Sequence, residues 1–213
     1  MKTDQLIALL ATGVEPVQPA AVRQRFQIAL ALGMAGALAT MLLVFGVRHD
    51  IAQAAVLPMF WFKLLFPLGV AVPVLLLVLR LGRPGVRIGR VGWAVLVPWL
   101  ALSLFALGAL LSAPPEGRLE LVLGKTWLTC AMNITLVSVP SFAATFWALR
   151  GMAPTRPAWA GACAGLLAAA LGTVAYALHC PEMQAPFLAV WYVLGMLIPT
   201  AAGALLGPRL LRW

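Results

Sequence analysis

Cysteine and histidine are the residues of this 213-residue chain that could bind a metal or change oxidation state, and there are only three cysteines and two histidines. Cys180 directly follows His179 in a polar stretch between two long apolar runs, and Cys130 lies near the start of an earlier apolar run. Two thiolates can bind a thiophilic metal ion, with His179 or His49 as a nitrogen ligand. Two thiols in an oxidising compartment can instead form a disulfide, and a membrane cysteine can also be a small apolar filler. The sequence leaves these interpretations of Cys130 and Cys180 open.

The third cysteine has a different setting, because Cys163 is flanked by glycine and alanine on both sides. Gly161 and Gly165 form a small-xxx-small face, a pattern typical of membrane helices that pack closely. We therefore interpret Cys163 as a packing residue and do not include it in a site with the other two cysteines.

Lys63 is the one basic residue within a long apolar run, where it ends the motif Phe60–Lys63. Its stem could let the ammonium group snorkel to the membrane interface beside the neighbouring aromatic residues. Alternatively, Lys63 could be a partner for Asp50, for Glu182 or for a cysteine thiolate, whose pKa a nearby cation would lower. Both interpretations remain open at the level of sequence.

The elements that must position these residues are membrane helices. Hydrophobic residues make up 63% of the chain and charged residues 10%, and the mean hydropathy is +0.99. A soluble domain needs more charged residues to cover its surface. We therefore predict an all-α integral membrane protein, a six-helix bundle with short loops, because helices satisfy their own backbone hydrogen bonds in lipid. The predicted spans are Phe26–Gly46, Ala54–Leu79, Val91–Ser112, Thr126–Leu149, Ala158–Leu178 and Pro186–Leu206.

The distribution of basic residues predicts the orientation of the bundle. An even number of spans puts both termini on one side of the membrane. If both termini are cytoplasmic, eleven basic residues lie inside: Lys2, Arg23, Arg25, Arg80, Arg83, Arg87, Arg90, Arg150, Arg156, Arg209 and Arg212. Three lie outside, namely Arg48, Arg118 and Lys125. This excess inside predicts cytoplasmic termini. Cys130 and Cys180 then lie at similar depth near the outer face, on spans that a short turn joins.

The predicted domain organisation is simple. Residues 1–25 form a cytoplasmic tail, residues 26–207 form the six-span bundle, and residues 208–213 form a cytoplasmic C-terminus. Within the tail, Thr3 and Asp4 can cap a short helix that ends before Gly13. The apolar residues of this helix are Leu6, Ile7, Leu9 and Leu10. They could lie on the bilayer surface or in a disordered tail, or they could dock into the groove of a partner protein.

Several classes of function are disfavoured by what the sequence lacks. No Asp or Glu lies inside a predicted span, so there is no proton or cation relay of the usual kind. The few polar residues do not supply a nucleophile, base and orienting group, so we do not expect an enzyme. The sequence contains no basic band with interleaved aromatic residues, so we do not expect direct binding to nucleic acid. A small membrane transporter or metal-efflux accessory remains the alternative, although no internal repeat supports it. A purely structural membrane subunit is a further alternative.

Five short motifs follow one another along the chain, namely Met1–Ile7, Phe60–Lys63, Ala153–Pro157, His179–Glu182 and Gly207–Trp213. Taken together and in this order, they resemble NrsF-type proteins, which are six-span negative regulators of extracytoplasmic-function sigma factors of the SigF kind. The resemblance therefore covers nearly the whole chain.

The resemblance implies a bacterial inner-membrane anti-sigma factor with membrane lipid around it. Such a protein holds a sigma factor inactive through its cytoplasmic parts and releases it under heavy-metal or oxidative stress. The family's paired cysteines correspond to Cys130 and Cys180, and the resemblance implies that they perceive the signal. We expect residues 1–13 and the loop that contains Arg83, Arg87 and Arg90 to form the docking surface.

Overall fold

The structure is a computed structural model that describes residues 3–12, 19–83, 85–86 and 89–212. The prediction of an all-helical protein is confirmed, since these residues contain helices and no β-strand. In chain order, the helices are α1 (Thr3–Ala11), α2 (Pro19–Val44), α3 (Ile51–Ala54), α4 (Pro58–Leu81), α5 (Val91–Ala94), α6 (Leu96–Ser112), α7 (Arg118–Leu123), α8 (Trp127–Arg150), α9 (Pro157–Tyr176), α10 (Ala185–Phe187) and α11 (Val193–Leu210). A 3₁₀-helix, Pro115–Gly117, precedes α7, and a π-helix, Leu188–Tyr192, joins α10 to α11.

Six helical segments are long and apolar enough to cross a membrane, as predicted. They are Ala20–Val44, Pro58–Leu81, Val91–Ser112, Pro115–Arg150, Pro157–Tyr176 and Ala185–Leu210. The third has the predicted bounds. The first helix begins at Pro19, ahead of the span predicted from Phe26, because a helix can continue beyond the hydrocarbon layer through Arg23 and Arg25. The segment before α8, predicted only as a loop, contains the 3₁₀-helix and α7.

Helix α9 is the centre of the bundle and packs against α2, α4, α8 and α11. Its side chains are mostly small, and Ala168, Ala169 and Ala170 are completely buried. The predicted role of Gly161 and Gly165 is confirmed. A Cβ atom on Gly161 would collide with the carbonyl oxygen of Gly203, and one on Gly165 would collide with that of Pro199. These glycines let the backbones of α9 and α11 approach each other directly.

Helix α8 packs against α2. The Ser141 hydroxyl donates a 2.8 Å hydrogen bond to the carbonyl oxygen of Gly33. Near the end of α8, the Arg25 guanidinium donates a 2.8 Å hydrogen bond to the carbonyl oxygen of Trp147 and lies 4.6 Å from the centre of the Trp147 ring. Helices α2 and α8 are therefore joined at the middle and at one end.

The bundle has a thiol end and a terminal end. The thiol end contains the start of α8 and the end of α9, where Cys130 and Cys180 lie. The terminal end contains the start of α2 and the end of α11. Helix α1 lies where the sequence predicts a short helix, and it buries none of its side chains. Leu6, Ile7, Leu9 and Leu10 are all exposed.

Candidate functional site

The site at the thiol end begins with two cysteines that different elements bring together. Cys130 lies in the first turn of α8, and Cys180 lies in the loop that follows α9. Both side chains are completely buried, and both thiols are free. They form a hydrogen bond with each other. The sulfurs of the predicted pair therefore lie in direct contact in the reduced state.

Several groups around the Cys180 sulfur favour its thiolate form. The Cys130 thiol and the main-chain N–H of Glu182 both donate hydrogen bonds to it. The hydrogen bond from Cys130 is the main reason why the pKa of Cys180 is lowered to about 6. The nearby ammonium group of Lys63 lowers this pKa further, whereas burial opposes the change. Cys180 is therefore the more activated sulfur for metal binding or oxidation.

Lys63 is completely buried and binds the same loop through its main chain. Its ammonium group donates hydrogen bonds to the carbonyl oxygen of Cys180 at 2.5 Å and to that of Glu182 at 2.9 Å. It also lies 5.6 Å from the centre of the Tyr192 ring. Lys63 thus points into the bundle and does not snorkel to its surface.

Two tyrosines complete the buried part of the site, and they are the only tyrosines in the chain. Tyr176 is hydrogen-bonded to the Cys130 thiol, and its hydroxyl accepts a 3.4 Å hydrogen bond from the Asn133 amide. The Tyr192 hydroxyl lies beside the Cys180 sulfur, but it has no partner with ordinary hydrogen-bond geometry. The π-helix Leu188–Tyr192 ends at this residue, and such bulges are frequent at functional sites.

Arg48 holds the Cys180 loop from the opposite side. Its main-chain N–H donates to the carbonyl oxygen of Leu178 at 3.3 Å, and its guanidinium donates to that of Cys180, also at 3.3 Å. The same guanidinium forms two hydrogen bonds with the Asp50 carboxylate, at 2.7 and 2.6 Å. These hydrogen bonds hold the pKa of Asp50 below its usual value. Asp50 therefore pairs with Arg48 rather than with Lys63.

Glu182 connects the loop to helix α8. Its Oε1 atom accepts hydrogen bonds from the main-chain N–H groups of Lys125 and Thr126, at 2.7 and 3.1 Å, and from the Thr126 hydroxyl at 3.3 Å. Thr126 is the N-cap of α8. A carboxylate in this position satisfies free N–H groups and interacts favourably with the helix dipole.

The two histidines do not join the sulfurs. His179 Nδ1 lies 3.0 Å from the carbonyl oxygen of Gly46, and the ring packs against Phe45 and Tyr176. His49 is exposed. Within the described part of the chain, no three His, Cys, Asp or Glu residues are arranged to hold a metal ion. If a metal binds here, Cys130 and Cys180 are the two ligands that the geometry offers.

Cys163 is separate from this site, as its sequence setting indicated. It is partly buried near the terminal end and lines an apolar pocket of about 300 Å³. The pocket is also lined by Val74, Leu96, Trp159, Leu166 and Thr200, among others.

Two of the predicted docking residues, Arg83 and Arg90, lie at the terminal end. Arg83 and Arg90 are exposed in the segment between α4 and α5. Arg87, predicted with them, lies outside the described residues. The four apolar residues of α1 are available to a partner, because no residue of this helix is buried.

Sequence reasoning assigned no function to Tyr176, Tyr192 or Arg48, and it considered Glu182 only as a possible partner for Lys63. Composition offered one signal, since both tyrosines of the chain are found at the thiol pair. Spacing offered another, because Tyr176 precedes Cys180 by one helical turn, and the Cys180 N–H donates to its carbonyl oxygen at 3.0 Å.

The fold and the site together define a polytopic helical membrane protein that carries a buried, reduced thiol pair at one end of its bundle. Residues 10–213 match the NrsF family, described as "Negative regulator of sigma F". The chain is 46% identical over 213 residues to the probable anti-sigma-F factor NrsF of Azospira oryzae. It is 39% identical over 222 residues to the anti-sigma-F factor NrsF of Caulobacter vibrioides.

Both comparisons cover 100% of this chain and 100% of the relative. No solved structure matches the chain. The chain belongs to the NrsF family of negative regulators of sigma F, and the resemblance seen in its motifs is confirmed.

Proposed function

We propose that this chain is a membrane-bound anti-sigma factor of a bacterial inner membrane. It sequesters an extracytoplasmic-function sigma factor on the cytoplasmic side and releases it under heavy-metal or oxidative stress. The observation that carries the sensing part is the contact between the Cys130 and Cys180 thiols, which meet in one buried site from two separate elements. Family membership supports the regulatory part.

Charge supports the proposed orientation. The terminal end carries Arg23, Arg25, Arg80, Arg83, Arg90, Arg150, Arg156, Arg209 and Arg212, whereas the thiol end carries Arg48, Arg118 and Lys125. Cytoplasmic loops of membrane proteins are enriched in Lys and Arg. This distribution supports a cytoplasmic terminal end, with the buried thiol pair on the periplasmic side, where oxidation is favoured.

Both proposed signals act on the same hydrogen bond. A thiophilic metal ion binds two thiolates and displaces the proton shared by Cys130 and Cys180. An oxidant accepts two electrons from the thiol–thiolate pair, so a disulfide forms and the one proton shared by Cys130 and Cys180 leaves. Either product requires a geometry between α8 and the Cys180 loop that differs from the hydrogen-bonded one. The sigma factor is released if it binds the protein with free thiols more tightly than the protein whose thiol pair has bound metal or formed a disulfide.

The docking surface that we propose is α1 together with the loop of Arg83, Arg87 and Arg90. Leu6 and Leu10 are one turn apart, and Leu9 and Ile7 flank them on the same side of the helix. A short helix with such a face suits a hydrophobic groove on a partner protein. The basic loop adds complementarity to an acidic part of that partner.

Co-purification tests this function. The full-length protein is isolated in detergent with its sigma factor and treated with cadmium chloride or with diamide, which oxidises thiols. We expect release from the wild type and from the control Cys163→Ser, whose sulfur lies near the opposite end. We expect Cys130→Ser and Cys180→Ser to retain the sigma factor. Unchanged release from both of these variants would contradict the proposal.

A further inference from the structure

Helix α8 is attached to the Cys180 loop at one end and to helix α2 at the other. At the thiol end, Glu182 caps it from the Cys180 loop. At the terminal end, Arg25 of α2 binds the Trp147 carbonyl and stacks on the Trp147 ring. Helix α2 is also the helix that follows the docking segment along the chain.

Glu182 is bound on three sides. Its carboxylate accepts from Lys125 and Thr126, its main-chain N–H donates to the Cys180 sulfur, and its carbonyl oxygen accepts from Lys63. Two main-chain bonds therefore tie Glu182 to the site of the reaction, and one side chain ties it to α8. A movement of the Cys180 sulfur is transmitted to the first turn of α8, which also carries Cys130.

The attachment at the terminal end is equally specific. The Arg25 guanidinium packs so closely on Gly151, directly after α8, that a Cβ atom on Gly151 would overlap it. The Arg25 Nε atom is buried and has no hydrogen-bond partner. Arg25 thus holds the end of α8 with one hydrogen bond and one ring contact, and a shift of α8 along its axis would disturb both.

We propose that α8 carries the signal from the thiol pair to the docking end, with Glu182 and Arg25 as the residues that couple its two ends. This inference rests on the proposed function. Glu182 and Arg25 position α8 and do not react with the signal. The two ends are coupled only if the reacted thiol pair changes the equilibrium between two positions of α8.

Glu182→Gln separates coupling from sensing. It keeps both main-chain bonds to the thiol site and weakens only the carboxylate cap. We expect diamide to oxidise Cys130 and Cys180 as in the wild type, measured by alkylation of the denatured protein and mass spectrometry. We expect sigma-factor release to need at least about fivefold more diamide, the lower limit of ordinary allosteric coupling. Glu120→Gln on α7 is the matched control and should behave as the wild type does.

Arg25→Met tests the other end in the same assay, with the exposed Arg23→Met as its control. We again expect normal thiol oxidation and weakened release. Wild-type release by either coupling variant would overturn the role of that residue. If Cys130→Ser and Cys180→Ser still retain the sigma factor after diamide in the same assay, the proposed function holds even when the coupling role fails.

Hydrogen exchange of the wild-type protein tests the same inference without a substitution. Peptides that cover residues 125–132 and 145–152 are compared before and after diamide. We expect protection to change at both ends of α8 together. A change confined to residues 125–132 would overturn the proposal, because the signal would then not reach the terminal end.

Discussion

The ammonium group of Lys63 donates a 2.5 Å hydrogen bond to the main-chain carbonyl oxygen of Cys180. Lys63 is completely buried, and no carboxylate among the described residues lies within ion-pair distance of it. A buried charge without an opposite charge beside it is costly. The Cys180 sulfur is the nearby group best able to supply the compensating negative charge, because its thiolate is already favoured by hydrogen bonds.

We predict that Cys180 is ionised at neutral pH. Its pKa is lowered to about 6, so the thiolate predominates above this pH and is lost as the pH falls below it. Ultraviolet thiolate absorbance of the detergent-purified Cys163→Ser protein should therefore show one transition near pH 6. Cys180→Ser should abolish that transition. A transition that survives in Cys180→Ser would contradict the assignment.

Lys63→Gln should move this transition upward. The glutamine amide keeps two N–H donors, but it carries no positive charge to stabilise the thiolate. Lys63→Arg keeps the charge and should retain a transition below the ordinary cysteine value of about 8.5. The same absorbance titration measures both variants, and equal midpoints for the Gln and Arg variants would show that the charge has no role.

Because α9 packs closely on α11, substitutions of two glycines should differ clearly in their effect on the stability of the bundle. Gly161→Val would place methyl groups against the Gly203 carbonyl and should destabilise the bundle by about 1–3 kcal/mol. Gly108→Ala is the control, because α6 leaves open space at that position. Loss of the monodisperse gel-filtration peak on heating measures both. Equal thermal stability would mean that the two helices separate to accept the side chain.

The exposed apolar face of α1 predicts a defined loss of partner binding. Leu6→Asp combined with Leu10→Asp places two charges on that face and should reduce co-purified sigma factor at least about tenfold. Ala8→Asp puts a charge on the opposite face of the same helix and should retain binding. If both proteins bind equally, the partner contacts another segment.

Orientation can be measured with reporter fusions. Alkaline phosphatase, which needs the periplasm for activity, should be active when fused after Asp50 or after Gly117. It should be inactive when fused after Arg83 or after Thr155. The reverse pattern would place the thiol pair in the cytoplasm and would remove the basis for signal perception from outside.

The six spans could be predicted from sequence because each has enough consecutive apolar residues to cross lipid, whatever its neighbours are. The pairing of Cys130 with Cys180 could be anticipated from their similar depth on adjacent spans. Gly161 and Gly165 could be assigned because their spacing alone defines a small helical face. These features depend on local pattern or on the membrane itself.

The rest of the site depends on contacts that the sequence pattern does not encode. Glu182 caps a helix whose first residue lies far from it in the chain, and Arg48 reaches Cys180 across 132 residues. Tyr192 faces the sulfur through a π-helix, which changes the helical register without a periodicity signal. Lys63 had two open interpretations because burial decides between them, and burial belongs to the assembled bundle.

The buried position of Lys63 also has a consequence for the order in which the protein is built. Its carbonyl partners on Cys180 and Glu182 follow it by 117 and 119 residues. During synthesis, α4 therefore enters the membrane long before those partners exist, and its lysine must stay near the water interface. The ammonium group can turn inward only when the last third of the chain has been inserted. A protein truncated before Cys180 would lack both carbonyl partners, so its Lys63 would keep the interfacial position and the site around it would not close.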